Sequence, residues 1–361
     1  MPARPLKLPK GAIQPRPAVL AMAPYSPPTA GRAGKLRLDF NENTVGCSPR
    51  VIEALGGALD RGGLAVYPEY GDAKQALAGY FEVKPDQLVF TNGTDEAIQA
   101  FINTYVDDGQ EVLLLKPSYA MYRFYAEVAG ARIREVEYAP PGMEFPLEAL
   151  LDAITPETRA IVLANPNNPT GTGVSLLGIE RILRRARKAA VMLDEAYYEF
   201  SGVTALGEIE RVPNLFVSRT FSKVFGMAGM RLGCLFSHQA NIRCLHKAQS
   251  PYSVNSLAVI AAQAAVADAD YIRNYVAEVL AARELLCYGL EKLGIRYVPS
   301  SANFVLASFG ARALEVRDAL CAEAILVRDR SYEVPGCVRI TVGTREQTRR
   351  LLEALERIWQ R

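Results

Sequence analysis

The sequence predicts an α/β protein, with a mostly parallel sheet sandwiched by helices and a smaller α+β domain after it. Three observations point there. From about residue 86 to 240, apolar runs of four to six residues alternate with helical stretches of ten or more. That alternation is the pattern of a parallel sheet buried on both faces. Polar turn formers follow the carboxyl ends of these runs, where open α/β sheets bind their ligands. Beyond about residue 240 the texture changes to long Ala-, Leu- and Glu-rich stretches, then to short apolar segments. The expected organisation is an amino-terminal arm at 1–35, a first piece of the small domain at 36–60, a large domain at 61–245 and the remainder of the small domain at 246–361.

The elements follow in order. Prolines from Pro2 to Pro28 forbid a long helix in the arm, which is expected to be irregular. The stretch 36–44 reads as a short strand leading into a polar turn, and Pro49 suits the first turn of a helix running to Leu59. A loop at 64–72 carries Tyr67, and a helix at 72–80 follows. Strands are predicted at 88–90, 111–115, 133–136, 160–164, 189–193 and 215–217, with a further apolar run ending near Phe236. Helices separate them, one starting at Thr94 and one at 175–188. The turn formers at 165–171 can continue neither a strand nor a helix. Gly226 and Gly229 allow a tight turn or a close approach. The carboxyl-terminal part reads as one broken helix or two at 256–290, four short strands at 295–298, 303–306, 325–327 and 338–342, and helices at 313–323 and 346–359.

Lys and Arg total 41 against 39 Asp and Glu, and this balance does not suggest a dedicated nucleic-acid binder. Six cysteines without a C-x-x-C pair, beside two histidines, argue against a structural zinc site, and no metal is expected. Such cysteines suit reduced core positions in a cytoplasmic protein. The first residues lack the apolar core of a signal peptide, and no run of 18 apolar residues suits a membrane span.

The chemistry centres on 214–233, where Lys223 sits in a polar turn between two apolar runs and Arg231 lies eight residues on. This segment resembles the lysine segment of pyridoxal-phosphate enzymes of the aspartate-aminotransferase fold type, fold type I. The resemblance extends over about 25–347, with G-T-D-E, P-S-Y, N-N-P-T-G, D-E-A-Y, the lysine segment and R-I-T-V-G-T-R in family order. Within the fold type, D-E-A-Y-Y-E-F and V-R-I-T-V-G-T-R-E are most similar to the histidinol-phosphate aminotransferases.

The resemblance implies a seven-stranded sheet, pyridoxal 5'-phosphate as cofactor and a homodimer with active sites at the subunit interface. Lys223 matches the lysine that carries the cofactor and acts as general base and acid, a use of amine chemistry on a carbonyl group. Asp194 matches the partner of the pyridine nitrogen, and Tyr197 with Asn168 matches the pair that hydrogen-bonds the 3-oxygen. Tyr119 matches the aromatic residue stacked on the ring. Gly93, Thr94, Thr220, Ser222 and Arg231 match the phosphate site, joined by Tyr67 from the partner subunit. Asp95 belongs to the same motif, and its carboxylate is expected to turn into the N–H groups of its own helix. Arg339 matches the arginine facing the substrate's anionic end. Arg328 lies where a second arginine takes the substrate phosphate, with Arg330 as the neighbouring alternative. Tyr25 and Asn41 match amino-terminal contributors to the same pocket.

The segment at 38–49 departs from the family pattern, with Asp39 and Phe40 in place of small neutral residues, and the stretch between Arg328 and Arg339 is short. Both departures lie near the substrate. The implied reaction is amino transfer between L-histidinol phosphate and 2-oxoglutarate or L-glutamate, a step of histidine biosynthesis. Phe40 keeps open an aromatic or broad-specificity aminotransferase. The cofactor motifs also admit a lyase of the same fold, such as a threonine-phosphate decarboxylase.

Overall fold

Two sheets organise the chain in the computed structural model, which describes residues 11–23, 30–59 and 63–360. Their strands are β1 (Leu36–Leu38), β2 (Leu88–Thr91), β3 (Glu111–Lys116), β4 (Arg132–Glu137), β5 (Thr158–Ala164), β6 (Ala190–Asp194), β7 (Leu215–Thr220), β8 (Gly233–Ser237), β9 (Arg296–Val298), β10 (Phe304–Ser308), β11 (Ile325–Asp329) and β12 (Cys337–Thr341). The larger sheet has seven strands in the order β2-β8-β7-β6-β5-β3-β4. β8 runs antiparallel to both neighbours, and the other pairs are parallel.

The continuous apolar runs feed two cores at once, because successive side chains of a strand point to opposite faces. On β5 to β7, Val162, Met192 and Phe216 enter one core with Ile98 and Phe101 of the helix Gly93–Tyr105. Ile161, Leu163, Leu193 and Val217 enter the other with Ile179 and Ile182 of the helix Leu176–Arg185. At the edge, β4 carries Arg132, Arg134, Glu135 and Glu137, charges that discourage pairing with another strand.

The strand order reverses between β3 and β5, since β4 lies outside β3 and the chain then returns to build β5, β6 and β7 on the other side. A crevice opens at the carboxyl ends of strands at such a switch. The second sheet, β1-β11-β12-β10-β9, stands over that crevice. β1 joins it in parallel with β11, pairing Leu36 with Ile325, so the first strand completes a sheet otherwise built from the last quarter of the chain.

Several boundaries differ from the expectations for local reasons. The arm includes a short helix, Pro17–Ala21, whose proline stands in the first turn, where no N–H is needed. The helix expected from Thr94 begins at Gly93. The stretch at 256–290 forms two helices, Ser256–Val266 and Ala269–Lys292, and the Asp268 carboxylate accepts from the Tyr271 N–H to start the second. The helix expected to reach residue 188 stops at Arg185. Gly226 needs its freedom, at φ +69° with an added Cβ 2.3 Å from the Gly46 carbonyl, whereas Gly229 has neither constraint. Among the described residues no helix is long and apolar enough to cross a membrane.

Candidate active site

A cavity of about 530 Å³ lies at the carboxyl ends of the large sheet. It gathers Lys223, Asp194, Tyr197, Asn168, Tyr119, Thr94, Asp95, Thr220, Ser222 and Arg231 with Asn41, Arg328 and Arg339, although these positions span three hundred residues. Tyr67 is absent from its walls: the side chain is 75% exposed and stacks on Tyr252 at 4.5 Å between ring centroids. Tyr25 lies outside the described residues.

β6 delivers Asp194 to the floor. The buried carboxylate accepts from the Tyr122 hydroxyl at 2.7 Å and from Ser218 Oγ at 2.9 Å. It has no ion pair among the described residues, and burial pushes its pKa up, against those two hydrogen bonds. Tyr122 and Ser218 went unnoticed in the sequence. Each carried a signal: Tyr122 is three residues after Tyr119 in a helical stretch, and Ser218 is two before Thr220 on a strand. Behind this floor, buried Arg219 donates from Nε to Glu195 Oε2 at 2.9 Å and ties the end of β7 to the turn after β6.

The turn after β7 holds Lys223. Its Nζ donates to the Phe40 carbonyl at 3.0 Å. Burial, then the charges of Arg339 and Arg231, lower its pKa to about 8, with Glu42 and Asp194 opposing. Part of the amine is therefore neutral and nucleophilic near pH 7 to 8.

An anion corner adjoins it. The helix Gly93–Tyr105 has no side chain capping its amino end, so its first N–H groups are available. Arg231 lies against this end, so close that a Cβ on Gly93 would meet its Nη2 at 2.4 Å. Ser222 Oγ is 3.5 Å from Arg231 Nη1. Asp95 does not turn into its own helix as expected. Its carboxylate accepts from Tyr119 at 2.8 Å and from Arg231 at 3.2 Å, a phenol and a cation that outcompete the open N–H groups of its own helix.

Two donors stand on the opposite side. The Tyr197 hydroxyl accepts from Asn41 Nδ2 at 3.0 Å and keeps its own proton to donate. Asn168 Oδ1 accepts from Arg339 Nη1 at 2.5 Å, which leaves its amide N–H groups for a ligand. Arg339 also donates to the Asp39 carbonyl at 2.7 Å, while its buried Nε has no partner. Burial, with Arg330 and Arg328 nearby, lowers its pKa to about 10. Arg330 is engaged by Glu333 and by the Tyr332 hydroxyl. Arg328 has no hydrogen-bonding or ion-pair partner among the described residues, and its guanidinium stands 5.5 Å from the Phe40 ring centroid. Phe40, placed near the substrate from sequence only as a departure from the pattern, lines the cavity, as does Glu42, which the sequence did not single out.

These features suit one kind of group. A buried carboxylate without a cation fits a protonated ring nitrogen, and the Tyr197 and Asn168 donors fit a phenolic oxygen. The open helix end with Arg231 fits a phosphate, and the amine of lowered pKa fits an aldehyde. Fold and site together define a pyridoxal-phosphate enzyme.

The comparisons with known proteins narrow this. The family model for aminotransferase class I and II matches residues 33–355. The chain is 36% identical over 356 residues to the histidinol-phosphate aminotransferase of Symbiobacterium thermophilum, covering 94% of this chain and 97% of that one. It is 38% identical over 331 residues to that of a Geobacillus species, covering 89% of each. The structure of histidinol-phosphate aminotransferase from Sinorhizobium meliloti in complex with pyridoxal-5'-phosphate superposes with a TM-score of 0.86 at 27% identity, over 97% of this chain and 99% of that one. Aspartate aminotransferase from Thermus thermophilus with maleate gives a TM-score of 0.77 at 26% identity, over 88% and 90%. The chain belongs to the class I and II aminotransferases.

Proposed function

We propose that the protein transfers an amino group between L-histidinol phosphate and 2-oxoglutarate or L-glutamate. The observation that carries this reading is Arg328, a cation without a hydrogen-bond or ion-pair partner among the described residues, on the cavity wall beside Arg339. Histidinol phosphate has a phosphate and no carboxylate, so it calls for a second free cation. Arg330, already engaged by Glu333 and Tyr332, is the poorer candidate. The relatives named histidinol-phosphate aminotransferase support the same substrate.

Pyridoxal phosphate supplies an aldehyde to take up the amino group and an electron-poor ring to stabilise the charge left at the α-carbon. Lys223 carries the cofactor and, when free, takes the proton from the substrate's α-carbon. Asp194, positioned by Tyr122 and Ser218, holds the proton on the ring nitrogen. Tyr197 and Asn168 donate to the 3-oxygen, and Tyr119 packs on the ring. Gly93, Thr94, Thr220, Ser222 and Arg231 hold the phosphate. Arg339 orients the substrate's anionic end, with Asn41 beside it. The exposure of Tyr67, away from the cavity of its own chain, supports a homodimer in which it reaches the partner's phosphate site. Six free cysteines suit a reducing cytoplasm.

Phe40 favours a second reading, an aromatic amino acid as donor, because its ring forms part of the wall. A visible spectrum of the holoenzyme without acceptor separates the two. Histidinol phosphate and glutamate are expected to bleach the cofactor band. Bleaching by phenylalanine but not by histidinol phosphate would transfer the assignment to the aromatic donor. Carbon dioxide released from threonine phosphate would make the protein a lyase.

A further inference from the structure

The segment 39–42 crosses the mouth of the cavity and touches almost every part of the chemistry. The Asp39 carbonyl accepts from Arg339 at 2.7 Å and the Phe40 carbonyl from Lys223 at 3.0 Å. Asn41 donates to Tyr197, and its own backbone N–H is held by Thr341 Oγ1 at 3.0 Å. Asn41 sits at φ 55°, in the left-handed region that asparagine tolerates better than other non-glycine residues. Behind the strap lies a second cavity of about 470 Å³, lined by Arg32, Asp39 and Arg328 among others. Phe40, Glu42 and Arg328 line the first. The strap thus stands between two hollows, held from the site side by hydrogen bonds from Asn41 to Tyr197 and Thr341 and from Asn303 to the Asn41 carbonyl.

Arg32 holds the strap's acidic side chains from the other side. Its guanidinium grips Asp39 through Nε at 3.0 Å and Nη2 at 2.9 Å, and Glu42 through Nη1 at 3.2 Å and Nη2 at 2.7 Å. The same plane lies 4.2 Å from the Phe40 ring centroid. Phe40 is thus flanked by two guanidinium groups, Arg32 and Arg328. A planar fork of five donors can make both carboxylate contacts and still present a face to an aromatic ring, which a lysine cannot. Arg37, the other cation at Glu42, reaches it only at 3.5 Å and from a half-exposed position.

We propose that Arg32 is a positioning residue that staples Asp39 to Glu42 and clamps Phe40, fixing the strap that holds Lys223 and Arg339 in place and sets Phe40 as the apolar wall beside Arg328. Arg32 touches neither cofactor nor substrate and acts through the strap. The part of the proposal concerning Phe40 and Arg328 rests on the histidinol-phosphate reading; the part concerning Lys223 does not.

The test uses Arg32→Ala and Arg32→Lys in the full chain. Backbone hydrogen exchange in the cofactor-free protein is expected to rise roughly tenfold at 41–46 in Arg32→Ala, with β5 to β7 unchanged. Capture of added pyridoxal phosphate by Lys223, followed against pH by absorbance, is expected to shift its midpoint upward from about 8 as water reaches the amine. Arg32→Lys should remain close to Arg32→Ala in both. Neither measurement needs an amino donor, so failure here is distinct from failure of the donor assignment. Exchange at the wild-type rate in the strap, or a rise shared equally with β5 to β7, overturns the proposal. So does full rescue by lysine. With histidinol phosphate, Arg32→Ala should add little to the KM of a Phe40→Ala enzyme, since both act through one ring; independent effects would remove Phe40 from the mechanism.

Discussion

The two halves of the cavity are built on different principles. The half contributed by the large sheet rests on strand ends buried on both faces. Asp194, Ser218 and Thr220 stand on two adjacent parallel strands, and Arg219 with Glu195 ties those strands together from behind. The opposite half is a four-residue strap and two strands of the smaller sheet, β11 with Arg328 and β12 with Arg339, held by side chains from distant segments and bordered by a second cavity. Chemistry common to all donors needs fixed atoms, and the parallel sheet provides them. Discrimination between donors needs a wall that can differ from one relative to the next, and a strap can change without disturbing the core.

The largest effect should come from the fixed half. Lys223→Ala is expected to lose roughly a thousandfold or more in turnover with histidinol phosphate and with glutamate alike, since the general base serves both. Steady-state rates with each donor check this, and survival of either reaction alone would break the division. A smaller effect is expected from the variable half. Arg328→Met should raise the KM for histidinol phosphate by about ten- to a hundredfold, the worth of a hydrogen bond to a charged group, and leave glutamate nearly unaffected. Equal losses with both donors would place Arg328 in the common machinery.

The smallest effect links the halves through charge. Lys223 has its pKa lowered to about 8, so the rate of cofactor capture by the apoprotein should climb as pH rises through 8. Arg339→Met removes a positive charge that lowers this value, and the midpoint should move up. The same shift has a sign in stability. Between about 8 and the ordinary 10.5 the unfolded chain binds more protons at this lysine than the folded one, so the apoprotein should gain stability as pH rises through that window. Denaturant titrations at pH 8 and 10 compare wild type with Lys223→Met, which lacks the titration and should gain less.

Most of the fixed half was legible in the sequence. Continuous apolar runs announced β5, β6 and β7, and the polar residues after them converged because parallel strands end on one side of a sheet. The variable half was less legible. Arg328 and Arg330 are two residues apart, and residue type alone does not separate them. Glu333 and Tyr332 do so by engaging Arg330. Asp95 looked like a helix cap until Arg231, 136 residues away, took its carboxylate. Asp39 and Phe40 stood out only as departures from a pattern, and both meet Arg32, whose grip has no periodic signature.

The sequence by itself determined the class of fold and the motif residues that meet around one cavity, Lys223, Asp194 and Arg231 among them. Each follows from local hydrophobic pattern, turn chemistry or a motif of adjacent residues. Only the tertiary structure decided how Asp95 and Asp194 are partnered and which site residues the amino-terminal segment meets. Those outcomes depend on side chains from remote segments competing for the same few hydrogen bonds, and that competition is settled only when both sheets are in place.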